Sequence, residues 1–325
     1  MLGEIIAIFA VLTFVGSNVI FRQTEFESSP LFINLFRTLI GTLTFILISL
    51  FLNIFGYIFL LPFEIWILLF TSFLFGQVIG DTAYFTAQKE LGTTIALAVS
   101  MTFPIFTFIL SLIFLERPFE LRMLLSLLLV GIGIIIIGKN KINSHNNQEG
   151  LKKNGAIPQT KLRELLANTS IKAIIAGLIA SLGWAVGLVI IDYTTNIIDT
   201  ILHINEQSSI IGNVIRFPFA VLILSVMAGR ENHIKKKKLK TSINKRRSLK
   251  TYILLLLGSL IGTSLGAFLY TEAARVAGAN IMSLIATASP LFALPLTYIV
   301  NKEKVSKQGF IGVILTILGV VIILV

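Results

Sequence analysis

Long apolar stretches alternate with short polar ones along the whole chain. Ten stretches each hold about twenty predominantly apolar residues, enough for a helix rising about 1.5 Å per residue to cross the roughly 30 Å hydrocarbon core of a bilayer. The pattern therefore predicts membrane-spanning helices at residues 3–21, 31–52, 64–86, 93–115, 121–138, 172–191, 208–228, 252–273, 277–299 and 308–325.

Composition supports this interpretation. Hydrophobic residues make up 55% of the 325 residues and charged residues only 13%, whereas soluble domains hold about 25% charged residues. These values exclude a soluble enzyme, a disordered regulator and an ordinary nucleic-acid binder. The chain has no cysteine, its three histidines lie in connecting segments, and it lacks the glycine-rich motif of ATP-binding loops. We therefore predict neither an enzyme nor a bound cofactor or metal.

Positive charge is concentrated between the apolar stretches. The net charge is +11, and segment 230–250 contains lysines 235–238. This distribution predicts contact with anionic lipid headgroups and argues against nucleic acid as a partner. Most Lys and Arg residues outside the spans lie in odd-numbered loops, which the positive-inside rule assigns to the cytoplasm, with both termini outside.

The two halves of the chain resemble each other. Residues 76–106 and 262–292 match at eight of 31 positions after a shift of 186 residues. The matched residues are Gly76, Gly80, Tyr84, Ala87, Gly92, Ile95, Pro104 and Phe106 with Gly262, Gly266, Tyr270, Ala273, Gly278, Ile281, Pro290 and Phe292. Shared apolar bias does not explain the matched glycine, tyrosine and proline residues. The sequence thus contains an internal repeat.

The repeat predicts the architecture. Residues 1–138 form a first five-helix repeat, 139–171 a polar linker, and 172–325 a second five-helix repeat. Because five is odd, tandem copies cross the membrane in opposite senses. We therefore predict an all-α integral membrane protein with ten transmembrane helices as two inverted five-helix repeats. Secondary transporters built in this way bind their substrates near mid-membrane, between the halves.

Several motifs resemble the EamA-type branch of the drug/metabolite transporter (DMT) superfamily. They are the run 14–18 with Gly16-Ser17-Asn18, its counterpart 182–185, the paired arginines Arg37 and Arg216, the paired prolines Pro104 and Pro290, and the helix-end acids Glu116 and Glu303. The resemblance covers nearly the whole chain except the linker. It implies transport of small metabolites, often amino acids or related compounds, across the cell (cytoplasmic) membrane. It also implies cytoplasmic termini, which conflicts with the charge distribution, so the orientation stays open.

Arg37 and Asp81 are a candidate ion pair. Ionisable groups inside a span are costly, which makes each a functional candidate. Arg37 lies roughly 9 Å and Asp81 roughly 10 Å deep from the same side of the membrane, if each residue adds about 1.5 Å. The pair is either structural or broken and remade during transport. Asp81 is also the only acid that we place near mid-span, and hence the only candidate for proton coupling.

Arg216 has no equivalent acid. The position that matches Asp81 in the second half is Ala267. An arginine without an acidic partner is suited to bind a carboxylate or phosphate of a substrate. The alternatives are that helix-end carbonyls or hydroxyl groups satisfy the guanidinium, or that it extends toward the membrane interface.

Further candidates are polar residues and prolines within the spans. Pro104, Pro290 and Pro295 are candidate hinges, because proline removes a backbone donor inside an apolar run; simple helix packing is the alternative. The remaining candidates for substrate contact are Asn18, Gln77, Tyr84, Ser100, Trp184, Asn213 and Tyr270. Each of these could instead make an interhelical hydrogen bond or pack a ring.

The sequence thus predicts a secondary transporter, a permease or exporter, of a small amphipathic metabolite such as an amino acid, working by alternating access. The alternatives are a flippase for a lipid-linked metabolite and a non-transporting membrane scaffold. A homodimer is compatible with the sequence. The substrate, the coupling ion and the direction of transport are not determined.

Overall fold

The computed structural model describes residues 2–115, 159–238, 247–302 and 306–324, together with several residues between 125 and 136. In these parts of the chain all regular structure is helical. The α-helices are α1 Leu2–Arg22, α2 Pro30–Phe51, α3 Phe63–Phe73, α4 Thr82–Leu91, α5 Thr93–Ser100, α6 Phe103–Leu115, α7 Gln159–Leu202, α8 Gln207–Lys238, α9 Leu249–Ser259, α10 Gly266–Ala286, α11 Ser289–Leu296 and α12 Lys307–Leu324. Short 3₁₀ and π segments connect some of them, at Phe55–Leu60, Leu74–Asp81, Leu260–Leu265 and Thr297–Asn301.

Local sequence explains where some helices begin. The Ser29 side chain accepts a hydrogen bond from the Phe32 amide and caps α2, which starts with Pro30. Ser248 caps α9 in the same way, through the Thr251 amide. Serine satisfies an amide that has no partner in the first turn, and proline has no such amide to satisfy.

Seven helical segments of the described residues are long and apolar enough to cross a membrane. They are Leu2–Arg22, Pro30–Phe51, Phe63–Leu91, Thr93–Leu110, Ile171–Leu202, Gln207–Glu231 and Leu249–Ala286. They overlap predicted spans one to four and six to eight, and Leu249–Ala286 also extends into predicted span nine. The apolar part of α12 is shorter, and predicted span 121–138 lies largely outside the described residues. The count of ten helices therefore stays a prediction.

The surface of the bundle is apolar and its interior contains polar groups. Large side chains such as Leu47, Phe51 and Leu222 are more than half exposed, whereas the amides of Asn34 and Asn213 are fully buried. A lipid environment explains this distribution, because hydrocarbon solvates apolar side chains and leaves polar groups to find partners inside the protein.

The predicted end of the sixth span is too early. The sixth span was expected to end at residue 191, but α7 continues to Leu202. The helix therefore includes Asp192 and Asp199, whose carboxylates bind partners on α10: the Ala279 amide at 2.8 Å and Arg275 at 2.9 Å. Hydropathy placed the boundary too early, because it counts these acids as unpaired.

Helix α1 packs along the second half of the chain. A methyl group at Gly258 would lie 2.7 Å from the Phe21 ring, and one at Gly266 would lie 2.9 Å from the Thr13 hydroxyl. At the other end Gly3 touches Ala277. The two segments are therefore antiparallel and in close contact along their length.

Helix α7 packs along the first half in a corresponding way. A methyl group at Gly80 would lie 2.9 Å from the Trp184 ring, and the Ser72 hydroxyl donates to the Gly187 carbonyl at 2.8 Å. The first helix after the linker thus contacts the glycine-containing segment before the linker. The matched glycines of the repeat serve as contact points for helices of the opposite half.

Gly92 and Gly278 interrupt helices at matched positions. Their φ angles are 82° and 85°, and their ψ angles are 163° and 157°. This region of backbone conformation favours glycine because a Cβ atom would be strained there. Gly92 separates α4 from α5, and Gly278 breaks α10, so that a new helical direction begins at residue 279.

Pro104 and Pro290 lie at helix starts, whereas Pro295 lies inside a helix, and their role as hinges stays a prediction. Pro104 is the second residue of α6 and Pro290 the second residue of α11. A missing amide has no cost in the first turn. Pro295 lies inside α11, shortly before the π segment Thr297–Asn301. The structure also has a proline within α8 that was not singled out, Pro218, two residues after Arg216.

Candidate functional site

A cavity lies in the middle of the bundle between the two halves of the chain. The space open to the centres of water molecules is about 120 Å³. Its described polar lining residues include Arg37, Ser72, Gln77, Asp81, Arg216, Tyr270 and Ser289. Four aromatic rings complete the wall: Phe14, Phe73, Phe103 and Trp184. The cavity wall therefore combines a few charged and polar groups with apolar rings, as sites for small organic molecules usually do.

Arg37 and Asp81 lie together at the cavity. Arg37 Nη2 is 3.4 Å from Asp81 Oδ2, and Arg37 Nε donates to the Thr263 hydroxyl at 2.9 Å. The guanidinium also lies 5.8 and 5.4 Å from the ring centres of Phe21 and Phe85. Arg37 thus joins α2 to the π segment Leu260–Leu265 of the second half through a hydrogen bond. It joins α2 to the π segment Leu74–Asp81 of the first half through an ion pair.

The Asp81 carboxylate is engaged on both oxygens. Trp184 Nε1 donates to Asp81 Oδ1 at 2.8 Å, and Arg37 faces the other oxygen. The pair is almost fully buried, with side-chain exposures of 7% and 6%. A buried carboxylate needs such partners, because an isolated charge in a low-dielectric interior is very unfavourable.

Arg216 is held by neutral groups. Its Nε donates to Asn213 Oδ1 at 2.8 Å and its Nη2 donates to the Thr271 hydroxyl at 2.8 Å. The guanidinium lies 4.6 Å from the centre of the Phe73 ring. No ion pair is formed by Arg216 within the described part of the chain. Its positive charge therefore faces the cavity without a carboxylate to balance it.

Tyr270 belongs to the same wall of the cavity. The ring is partly buried, and its hydroxyl makes no hydrogen bond to any residue that the structure describes. Tyr270 lies one residue before Thr271, which holds Arg216. Tyr270 and Arg216 both line the cavity, so both side chains can contact a molecule that is bound there.

The two asparagines position neighbouring groups. Asn34 Nδ2 donates to the Gln77 carbonyl at 2.7 Å, in the π segment, and Gln77 Nε2 donates to Asn34 Oδ1 at 3.2 Å and to the Thr38 hydroxyl at 2.8 Å. Asn213 orients Arg216, as described above. Gln77 lines the cavity, whereas both asparagines lie behind the lining.

The cavity wall thus includes six of the predicted site residues: Arg37, Gln77, Asp81, Trp184, Arg216 and Tyr270. The other predicted residues lie outside the lining: Asn18, Tyr84, Ser100, Asn213, Pro104, Pro290 and Pro295. Tyr84 is fully buried, stacks near Phe14 and Trp184 at 6.1 and 5.3 Å between ring centres, and donates to Gln88 at 2.5 Å. For all of the predicted site residues, contact with a substrate stays a prediction.

The sequence did not identify the threonines that hold the arginines. Thr271 lies one helical turn after Ala267, so it shares a face with the position that matches Asp81. A shift of 186 residues also pairs Thr271 with Phe85, which contacts Arg37. The repeat therefore contained a signal for Thr271, although the residue types differ.

A polar cluster closes one end of the bundle. Arg22, the last residue of α1, pairs with Glu25 and donates to the carbonyls of Gln88 at 2.8 Å and Lys89 at 2.9 Å. Gln88 in turn donates to Glu25 at 2.8 Å. These contacts connect the end of α1 to the end of α4, next to the Gly92 break.

A second polar cluster lies at the opposite end. Arg275 pairs with Glu272 at 2.6 Å and with Asp199 at 2.9 Å, and the Ser209 hydroxyl donates to Glu272 at 2.7 Å. Since α1 and α10 are antiparallel, Arg275 lies near the start of α1, whereas Arg22 lies at its end. The two clusters therefore flank the cavity on either side.

These features define a class. The described chain combines helices of membrane length with a central cavity that has charged and polar groups in its lining, which is the organisation of a membrane transporter. The model of the EamA-like transporter family matches residues 1–139 and 171–325. The chain belongs to this family and is accordingly a multi-pass membrane protein and a membrane transporter, for which the family implies a small-molecule substrate.

Two further comparisons give one similar protein and one similar fold. The chain is similar to an uncharacterized transporter from Archaeoglobus fulgidus, at 24% identity over 325 residues, covering 100% of this chain and 98% of that protein. A solved crystal structure superposes with a TM-score of 0.59 at 14% identity, covering 99% of this chain and 96% of that chain. The second similarity supports the fold alone.

Proposed function

We propose that this transporter carries a small amphipathic metabolite, such as an amino acid or a related compound, across the cell membrane by alternating access. The observation that carries the proposal is the cavity between the halves, in which Arg216 presents a buried positive charge without a carboxylate partner. A purely structural scaffold has no use for such a charge, because burying it is unfavourable.

We further propose that the chain forms two inverted repeats of five helices, 1–138 and 172–325, joined by the linker 139–171. The exchanged packing of α1 and α7 supports this, since each contacts the glycine-containing segment of the other half. The nearly identical backbone angles of Gly92 and Gly278 support it as well. Two halves related in this way can rock against each other around a central site.

The two end clusters suggest how access alternates. The Arg22–Glu25 cluster holds α1 against α4, and the Arg275–Glu272–Asp199 cluster holds α10 against α7. Opening one cluster while the other stays closed would expose the cavity to one side only. Gly92 and Gly278 lie next to the clusters and are the natural points for bending.

The cavity wall suggests how a substrate is oriented. An anionic group would contact Arg216, and an apolar body would pack against the rings of Phe14, Phe73 and Trp184. Charged hydrogen bonds give direction to binding, whereas ring contacts are tolerant of shape. Because the sequence has no ATP-binding motif, energy would come from an ion gradient or from exchange of substrates.

Basic segment 230–250 has a separate role in the proposal. Helix α8 continues to Lys238, beyond the end of its apolar part at Glu231. Its lysine-rich end would lie at anionic headgroups and fix the position of α8 in the membrane.

Transport by purified protein in proteoliposomes tests the proposal. A thermal-stability screen over amino acids, nucleosides and organic anions first selects a ligand, and uptake of that ligand is then compared among the wild type, Arg216→Ala and Lys172→Ala. Lys172 is exposed on α7, outside the basic segment 230–250 and the cavity lining, and serves as the control. We expect loss of uptake only in the Arg216 variant. Equal uptake by both variants would contradict the assignment of Arg216.

A further inference from the structure

The two buried arginines lie in matching Asn-x-x-Arg motifs, which begin at Asn34 and Asn213, but they have different neighbours. Arg37 lies between Asp81 and Phe85, at 3.4 Å from the carboxylate and 5.4 Å from the ring centre. A shift of 186 residues converts these neighbours into Ala267 and Thr271. Arg216 indeed contacts Thr271, at 2.8 Å. The first half thus provides its arginine with a carboxylate, and the second half provides a methyl group at the corresponding place.

The position of Ala267 leaves room beside Arg216. Ala267 lines the cavity, and it precedes Thr271 by one helical turn on α10. Residues four apart on a helix lie on the same face, about 5–6 Å apart between Cβ atoms. Tyr270, with its unpaired hydroxyl, also lines this wall. The space in front of Ala267 is therefore bordered by a guanidinium and by a hydroxyl donor.

The charges of the wall do not balance. Among the described lining residues, the charged ones are Arg37, Asp81 and Arg216, so the wall has an excess of one positive charge. The single negative charge of Asp81 is paired with Arg37 at 3.4 Å, and no ion pair joins it to Arg216 in the described part of the chain. One negative charge from outside the protein would neutralise the cavity.

We propose that the substrate is a monoanion whose carboxylate takes the place of the absent acidic side chain at position 267. The carboxylate accepts hydrogen bonds from Arg216 and from the Tyr270 hydroxyl, and the apolar body lies against the aromatic wall. A zwitterion is disfavoured, because its ammonium group would find no free carboxylate in the described lining. The inference rests on the proposed transport function and narrows it, from amino acids to relatives without a charged amine.

Binding of three matched probes tests the charge requirement. 3-Phenylpropionate, L-phenylalanine and 3-phenylpropanamide share a phenyl ring and chain length, and differ in charge. We expect 3-phenylpropionate to raise the midpoint of thermal unfolding of the purified wild type, and the other two to have little effect. No stabilisation by 3-phenylpropionate, or equal stabilisation by L-phenylalanine, would overturn the proposal without the need for any variant.

A pair of substitutions tests the location. Ala267→Asp supplies the missing carboxylate, and Ala267→Asn has nearly the same size without the charge. We expect the apparent affinity for 3-phenylpropionate to fall about tenfold or more in Ala267→Asp, since charged hydrogen bonds contribute on that scale. Ala267→Asn should lose clearly less affinity. An equal loss in both variants indicates mere filling of space and contradicts the proposal.

Flux measurements separate this inference from the proposed function. Uptake of L-phenylalanine that depends on Arg216 would support transport and refute the monoanion. Binding of 3-phenylpropionate with the expected sensitivity to position 267, but without uptake into proteoliposomes, would support the anion site and contradict the proposed transport of this class.

Discussion

Asp81→Asn provides a stringent test of the buried charge pair. The substitution keeps the shape of the side chain and an oxygen that can accept from Trp184 Nε1, but it removes the negative charge. Arg37 would then stay buried at 6% exposure, and its guanidinium would keep the Thr263 hydroxyl and two aromatic rings as neighbours among the described residues. The change therefore isolates the contribution of charge from that of packing.

The expected loss of stability follows from this geometry. Removing one partner of a buried ion pair usually costs about 3–5 kcal/mol, because the remaining charge is uncompensated. The Arg37–Asp81 separation of 3.4 Å is longer than an ideal charged hydrogen bond. The remaining contacts of Arg37 also soften the loss. We expect a decrease of about 3 kcal/mol in the free energy of unfolding.

Unfolding in mixed micelles by titration with SDS measures this loss. The series consists of the wild type, Asp81→Asn, Arg37→Gln and the double variant, with Glu90→Gln as an exposed control on α4. The double variant should be less destabilised than the sum of the single variants, because it contains no unpaired charge. The control should change stability by less than about 0.5 kcal/mol.

Two outcomes would refute this reasoning. If Asp81→Asn were no more destabilising than Glu90→Gln, the charge of Asp81 would not be needed to compensate Arg37. If the losses of the two single variants were additive, the side chains would not interact in the folded state.

Two further predictions use matched glycines. Gly80→Ala should destabilise the protein by about 1–3 kcal/mol, because its methyl group would lie 2.9 Å from the Trp184 ring. Gly76→Ala should be tolerated in the same SDS titration, because the atom nearest to its methyl group would be 3.7 Å away. Equal destabilisation by the two substitutions would contradict the described packing. Gly278→Ala should cost about 1–3 kcal/mol, because its φ of 85° and ψ of 157° lie in a region that essentially only glycine adopts. Gly229→Ala on open α8 surface should be neutral or stabilising, and a neutral Gly278→Ala would argue against the break in α10.

The helices were largely predictable, and the exceptions have a common cause. The predicted span 31–52 corresponds to Pro30–Phe51, because a long apolar run bounded by Ser29 and Pro30 needs no tertiary information. The end of α7 was misplaced because Asp192 and Asp199 appear unfavourable in hydrocarbon until their partners on α10 are known. Partners that are distant in sequence change the energy of a local segment.

The candidate site was predictable in part. Depth within the spans suggested that Arg37 and Asp81 could meet, and the repeat drew attention to Arg216 opposite Ala267. The threonine that holds Arg216 and the position of Tyr84 behind the wall were not predictable from spacing alone. Whether a polar side chain faces a cavity or another helix depends on how each helix is rotated about its axis, which hydropathy does not describe.

The sequence by itself determined that this chain resides in a membrane, and it predicted that its halves are related. Both follow from local quantities, namely the transfer energy of each apolar run and the recurrence of residues at a constant shift. Only the tertiary structure decided that α1 packs on the second half and α7 on the first, that Asp81 is shared by Arg37 and Trp184, and that Arg216 has neutral partners. Contacts between helices depend on close packing and on hydrogen-bond geometry, and these arise only when distant segments meet.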